Sequence, residues 1–554
     1  MRDTDLLKFQ RPARYLGKEQ NLEFKEPQSK DLRVCLCFPE IYEVGMSNLG
    51  FRIVYEFFSN FEGLSCERCF MPAEDLATYL QERREPLFSL ETKTPLKDFD
   101  LLAFSLNYEL NFINFLKMIS LGGIELDKSK REKPLIIVGG LTNPEPLVSF
   151  VDIFFLGEFE PQANTFIKAL KLSKSLSKRE KFSALSEIEG VYIPDFYCLE
   201  RNSLQPKEKE AKFPLTWQYY QEFKDNFYPK NWLIPYIPLV FDRVQAEVQR
   251  GCPNSCRFCQ ARCVYFPYRQ RPPALVKKHL ISLYEKTGYE EISLSGLSVI
   301  DYSSLEELLK EIIPYFEKRK VGILLPSLRP QGKASKILKL LNFAKKTGLT
   351  LALETANPLL RRKIGKYIDI DDLKELVKLA SHRQYRVLKF YFMIGLPGES
   401  FEEVLEIGSF LKELALLYKK EKGSYPQMNV TISYFIPKPF TDFEKEKMAD
   451  FEELIKKKDL LKKSVRSLRF IKLKFSNYRV SFLEYLLSRA NRRISPLLRE
   501  VFLKVEEGAD YLDLALWKEL SQKNNLELEY FLEEEFSFKS IIKKDGKVFF
   551  KSSV

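Results

Sequence analysis

At 554 residues the chain is too long for one ordinary hydrophobic core, so several packed units are expected. An apolar fraction of 45% and an aromatic fraction of 14% exclude a disordered chain, and no run reaches the roughly 18 to 20 apolar residues of a membrane span. The charge is +12, from 88 Lys and Arg against 76 Asp and Glu; it suits an anionic partner such as RNA, and equally a surface laced with ion pairs. The opening MRDTDLLK contains acidic residues, has no apolar core and does not read as a secretory signal. The expected compartment is therefore the cytoplasm, where the nine cysteines stay reduced.

After an N-terminal extension (1–30), residues 31–175 alternate short apolar runs with amphipathic stretches. LRVCLCF (32–38), DFDLLAFS (98–105), PLIIVGG (134–140) and VDIFFLG (151–157) read as strands, with helices at 48–60, 109–121 and from about 162. That rhythm implies an α/β fold with a doubly wound, Rossmann-like parallel sheet, whose ligands belong at the carboxyl ends of strands, where Gly139, Gly140 and Gly157 fall. The rhythm lapses over 176–240, a connector marked by PKEKEAK and by Pro214, Pro229, Pro235 and Pro238. It resumes at 241–445, with strand candidates at 243–249, 291–297, 322–326, 350–354, 387–394 and 429–435. Capping boxes are expected at Ser304 with Glu307 and at Ser400 with Glu403. Six strand–helix units suggest a partial (β/α)6 barrel of TIM type. The remainder, 446–554, reads as a small basic, mainly helical accessory region, with Arg489, Arg492, Arg493 and Arg499 on a helix face that is solvated or docks RNA or protein.

Chemistry concentrates in RGCPNSCRFC (250–259), just after the first barrel strand. Cys252, Cys256 and Cys259 put three soft thiolates on one loop, and no fourth ligand stands nearby in sequence. Three thiolates on an iron–sulfur cubane leave one iron open to a small molecule. The alternative is a zinc site completed by a distant residue such as Cys263, and only two histidines, His279 and His382, exist to complete it. Cys35 and Cys37 share a strand face and read as core thiols, while Cys66 and Cys69 form a lone C-x2-C pair. Together these four suggest an auxiliary cluster only as a minor alternative.

The C-x3-C-x2-C spacing, with Phe258 directly before the last cysteine, resembles the radical S-adenosylmethionine (SAM) superfamily. That resemblance implies a radical SAM core barrel, a [4Fe-4S] cluster on Cys252, Cys256 and Cys259, and SAM chelated at the open iron. Reduction of the bound SAM releases a 5′-deoxyadenosyl radical that abstracts hydrogen, with a flavodoxin or ferredoxin as the kind of reductant. It also implies cofactor-binding positions. Phe258 lies near the adenine. Ser295 and Gly296 end the second strand and receive the methionyl amine, although SGLS departs from the usual Gly-Gly-Glu. Ser327 and Arg329 follow the third strand, with Arg329 facing the carboxylate. Glu354 ends the fourth and reaches the ribose or the amine, and Gly395 and Pro397 lie in MIGLPGE, which resembles the adenine-contacting strand.

RYLG (14–17), FPEIYEVGMS (38–47), NPEP (143–146) and SRANRR (488–493) are similar to a narrower group of radical SAM proteins, with a cobalamin-binding-like N-terminal domain, here 31–175. This resemblance admits cobalamin as a cofactor without requiring it. No histidine precedes His279, and GEFE (157–160) places Phe159 where relatives tend to carry glycine. With cobalamin the implied reaction is methylation of an unactivated carbon; without it, rearrangement or thiolation. The rivals are a methylthiotransferase-like enzyme acting on RNA or protein, and a non-catalytic iron–sulfur redox sensor. No residue stands out as a catalytic acid, base or radical acceptor, and the substrate is not legible.

Overall fold

A computed structural model describes residues 3–223, 227–326, 328–330, 332–341, 348–533, 538, 542–544 and 547–548. The chain divides into two compact units, Met1–Asp242 with Leu486–Val554, and Arg243–Tyr485.

The first unit is built on β1 (Leu32–Phe38), β2 (Leu64–Phe70), β3 (Leu101–Leu106), β4 (Leu135–Gly140), β5 (Ile153–Leu156) and β6 (Val191–Tyr192). Their order is β2-β1-β3-β4-β5-β6, all parallel except the antiparallel β6. The strand order reverses direction between β1 and β3, and such a switch point opens a crevice at the carboxyl ends. β2 lies at the sheet edge, yet all seven of its residues are buried. Its charges are matched: Arg68 pairs with Glu19 and Glu91, and Glu67 accepts from Arg33, Ser89 and Thr92. Cys37 lies in register with Cys69, and Cys35 shares its face, with the Cys35 and Cys37 sulfurs 3.9 Å apart. Cys66 pairs in register with Val34 and so projects from the opposite face. The four N-terminal cysteines therefore do not close around one auxiliary cluster.

The end of the chain returns to this unit. The Asn143 amide donates to the carbonyls of Ser488 and Ala490, and the Ser495 hydroxyl donates to the Pro146 carbonyl. Arg492 donates to the fully buried Glu145, which also accepts from Tyr192. The NPEP and SRANRR motifs, 345 residues apart, thus form one contact. Arg492 is spent inward on this pair and is no part of a solvated basic face.

In the second unit the strands are β7 (Val244–Glu247), β8 (Glu291–Ser295), β9 (Gly322–Leu324), β10 (Leu349–Glu354), β11 (Val387–Ile394), β12 (Gln427–Tyr434) and β13 (Ile471–Phe475). Two parallel sheets, β7-β8-β9 and β10-β11-β12-β13, are joined by a parallel bridge between Leu328 and Leu351. All six expected strands are present, and β13 adds a seventh. Ser400 and Glu403 form the expected capping box, whereas Ser304, at ψ 19°, already turns with the helix and makes no cap bond. The outer face of the second sheet is apolar, with Met428, Val430 and Ile432 buried. Its other face alternates to polar residues, an unusual pattern for parallel strands, which are commonly buried on both sides.

Replacing Arg492 by Met leaves the Glu145 carboxylate buried without its cation. A loss of about 3–5 kcal/mol is expected for the first unit. Urea denaturation should show a lowered midpoint, and limited proteolysis should release fragments beginning near residue 486 sooner than in the parent.

Candidate functional site

The cysteine loop leaves the barrel just after β7. Gln249–Arg250 pairs antiparallel with Arg269–Gln270, so the intervening residues form an excursion closed at its base. Gly251 has φ +74°, and a Cβ there would stand 2.7 Å from the Pro267 carbonyl oxygen. Only glycine satisfies both the left-handed backbone and this approach. Cys256 is buried, Cys252 and Cys259 are half-buried, and Cys259 opens the short helix Gln260–Val264. Burial pushes the Cys259 thiol up. Cys263 lies within that helix and is buried.

The residues between the cysteines anchor the loop to the rest of the barrel. The Arg257 amide donates to the Ile364 carbonyl, its guanidinium pairs with Asp442 at 3.1 Å and lies over the Phe443 ring. Gly365, at φ +68°, lets the chain after β10 pass against the Ser255 carbonyl, where a Cβ would approach to 2.2 Å. Phe258 packs against the apolar cluster that Leu360, Ile364, Met393, Leu396, Phe435 and Phe443 form. The aromatic position of the motif is thus locked against the end of β11.

Two of the three sulfurs face N–H donors. The Asn254 amide lies 3.4 Å from Cys252 Sγ while donating to Asp301 at 2.6 Å, and Asp301 also accepts from Ser298. Arg329 Nη1 lies 3.8 Å from Cys256 Sγ, and its other nitrogen donates to the Tyr367 carbonyl. Donors aimed at sulfur suit thiolates that carry charge in a cluster. The two histidines, by contrast, sit on the barrel helices Pro273–Thr287 and Ile370–His382 rather than in the cysteine loop. Sequence patterns alone gave no reason to single out Asn254, Asp301 or Arg257; their roles come from contacts with residues far along the chain.

Among the other expected cofactor positions, Ser295 ends β8 and its carbonyl accepts from Val248. Gly296 lies against Gln249, whose Cγ would be 2.7 Å from an added Cβ. Glu354, at φ +68°, adopts a backbone rarely seen outside glycine and pairs with Lys366 at 3.1 Å. Strain of this kind gathers at functional sites. Gly395 donates to Glu399, itself paired with the buried Lys457, and burial pushes the Glu399 carboxyl up to about 6. The Pro397 carbonyl accepts from Lys363. Ser327 lies outside the described residues. The loop, Arg329 and the β11 end are brought together directly; Glu354 joins them through Lys366 and the segment that passes Ser255.

Asn254→Leu removes one N–H donor to sulfur while keeping all three thiols. The expected result is unchanged iron content and a more negative cluster midpoint potential, measured by a redox titration followed by electron paramagnetic resonance.

The chain matches the family models for radical SAM proteins, N-terminal, over residues 50–194, and for the radical SAM superfamily over 246–411. It is 27% identical over 445 residues to the uncharacterized protein MJ0966 of Methanocaldococcus jannaschii, covering 79% of this chain and 88% of that one. It is 28% identical over 216 residues to the ribosomal protein uS12 methylthiotransferase RimO of Desulfotalea psychrophila, covering 34% of this chain and 44% of that one. The chain thus spans less than half of that methylthiotransferase. Among solved structures, the radical SAM methyltransferase TsrM of Kitasatospora setae, with cobalamin and a [4Fe-4S] cluster bound, aligns with a TM-score of 0.48 and 15% identity, covering 73% of this chain and 72% of that one. The matched core model begins in β7 and contains the whole three-cysteine loop, Phe258 and Arg329, and on this basis the chain belongs to the radical SAM superfamily, enzymes that use a [4Fe-4S] cluster and SAM.

Proposed function

We propose that this enzyme transfers a methyl group from cobalamin to a carbon of its substrate, in the cytoplasm, with electrons from a flavodoxin or ferredoxin. The reading rests on the open crevice at the β1/β3 switch point of the first unit. At the strand ends there, Val44 and Tyr108 are each 36% exposed. A Cβ on Gly139 at the end of β4 would meet no atom within 4 Å. Gly140 and Gly157 differ, since a Cβ there would meet the Leu106 or Gln218 carbonyl oxygen at 1.8 Å and 2.1 Å. Phe159 packs among Phe57, Phe58, Phe155 and Phe166, so it fills the β5 side. The space for a broad ligand lies over β1, β3 and β4, and these residues fit a corrinoid held by its faces, since no histidine precedes His279. Cobalamin supplies a transferable methyl group when bound.

Within the barrel, Cys252, Cys256 and Cys259 hold the cluster, and Asn254 and Arg329 steady two of their sulfurs. In this reading Phe258, Met393 and Leu396 exclude water beside SAM, while Ser295, Gly296, Ser327, Arg329, Glu354, Gly395 and Pro397 orient it. The methylthiotransferase alternative is weakened by the N-terminal cysteines, which lie on two faces of buried strands. No helix among the described residues is long and apolar enough to cross a membrane.

Two measurements test this. After anaerobic reconstitution, Cys256→Ala should lack the visible absorption of the cluster and form no 5′-deoxyadenosine from SAM and dithionite; retention of both would remove the ligand assignment. Hydroxocobalamin titrated onto the full chain should co-elute in gel filtration, and a Gly139→Trp variant should lose that retention. A corrinoid that never co-elutes would rule out the methyl carrier and leave a SAM-only reaction.

A further inference from the structure

The inner face of the second barrel sheet carries an unexplained charge pattern. The strands β11, β12 and β13 align Lys389, Asn429 and Lys472 in one row and Tyr391, Thr431 and Lys474 in the next. Lys458 and Lys462 of the helix Phe451–Val465 lie over the Phe475 ring, which fixes that helix on the opposite face of β13. The two rows therefore face away from the helix layer, into the barrel. A filled barrel packs branched apolar residues there. Here Lys472 and Lys474 are exposed and Tyr391 is 42% exposed.

None of the three lysines has a carboxylate partner among the described residues. Lysines on the outer helices do, as in Lys277 with Glu311, Lys310 with Glu306 and Lys374 with Glu413. Along the two rows the polar partners are an amide and two hydroxyls, with no acid. Unpaired cations converging on one concave face create a positive field that concentrates anions. Adjacent strands are about 4.8 Å apart, so Lys389 and Lys472 start about 10 Å apart, within reach of a shared group.

We propose that this face binds the phosphate group of a phosphorylated substrate. Three ammonium groups, Lys389 from β11 with Lys472 and Lys474 from β13, suit the tetrahedral oxygens of a phosphate as point charges, whereas a carboxylate is commonly read by the planar fork of arginine, absent from both rows. Lys389 lies four residues before Met393, the β11 member of the cluster against which Phe258 packs. At about 3.3 Å per residue, the phosphate sits about 13 Å from the cluster end of the barrel. The substrate is consequently elongated, with its anionic end deep and its reacting carbon near the strand ends. Only that last placement rests on the radical SAM assignment.

The test uses the cluster-reconstituted full chain with pyrophosphate and, separately, citrate as probes. Pyrophosphate should bind in calorimetry, and K389Q/K472Q/K474Q should weaken it by at least roughly tenfold. Competitive acetylation read by peptide mass spectrometry should show these three lysines protected by pyrophosphate, and the exposed Lys456 and Lys463 of the outer helix unprotected. Equal protection of all five lysines, stronger protection by citrate, or full binding by the triple variant would each overturn the proposal. Formation of 5′-deoxyadenosine from SAM should be unchanged in the triple variant. Its loss in every form, parent included, would count against the enzymatic reading while leaving the pyrophosphate result intact.

Discussion

Three thiolates must converge from a single loop, and the packing around the barrel mouth follows from that constraint. A ten-residue span carrying three cysteines cannot bury its own backbone, so it borrows partners from distant segments. Gly251 turns the chain in at a φ that other residues resist, and Gly365 gives up a side chain so that a second segment passes against Ser255. Arg257 then ties the loop to Ile364 and Asp442, and Phe258 ties it to the end of β11. Sulfur geometry is thereby set by contacts across more than a hundred residues of sequence, which is what a preorganised metal site requires.

The same constraint separates the roles of the two barrel faces. Outside, buried apolar residues such as Val430 and Ile432 hold the helices. Inside, Met393 packs near the cysteine loop, while Lys389, Tyr391, Asn429, Lys472 and Lys474 take no part in that buried layer. In the first unit the strand order reverses between β1 and β3, and at the strand ends Gly139 stands clear while Gly157 is covered by Gln218. On the proposed reading each unit receives a large organic cofactor at its strand ends, by the same physical rule.

Much of this was legible because apolar periodicity is local. The six barrel strands and four strands of the first unit's sheet read directly from runs such as LRVCLCF and LIIVGG, whereas β2, interrupted by Glu67 and Arg68, and the two-residue β6 do not; the cysteine spacing needs no context. β13 was missed because IKLKF, set among lysines, resembles a charged helical region; only pairing with β12 makes it a strand. Ser304 has the sequence of a cap, but its backbone has already entered the turn. The basic C-terminal stretch looked like a surface because sequence shows a charge and not its partner, and Arg492 meets Glu145 from 347 residues away.

By itself the sequence determined the donor chemistry: three soft thiolates on one loop, an aromatic beside the last, and an α/β frame whose strand ends receive them. Those features depend on residue type and short spacing alone. Tertiary structure decided which charges are spent and which remain for use. It put Arg492 and Arg68 into ion pairs with buried carboxylates, split the N-terminal cysteines between two faces, and left Lys389, Lys472 and Lys474 without a carboxylate partner among the described residues. The physical reason is that a charge's role is set by its neighbours in space, and strand register brings those neighbours together from parts of the chain that share no local pattern.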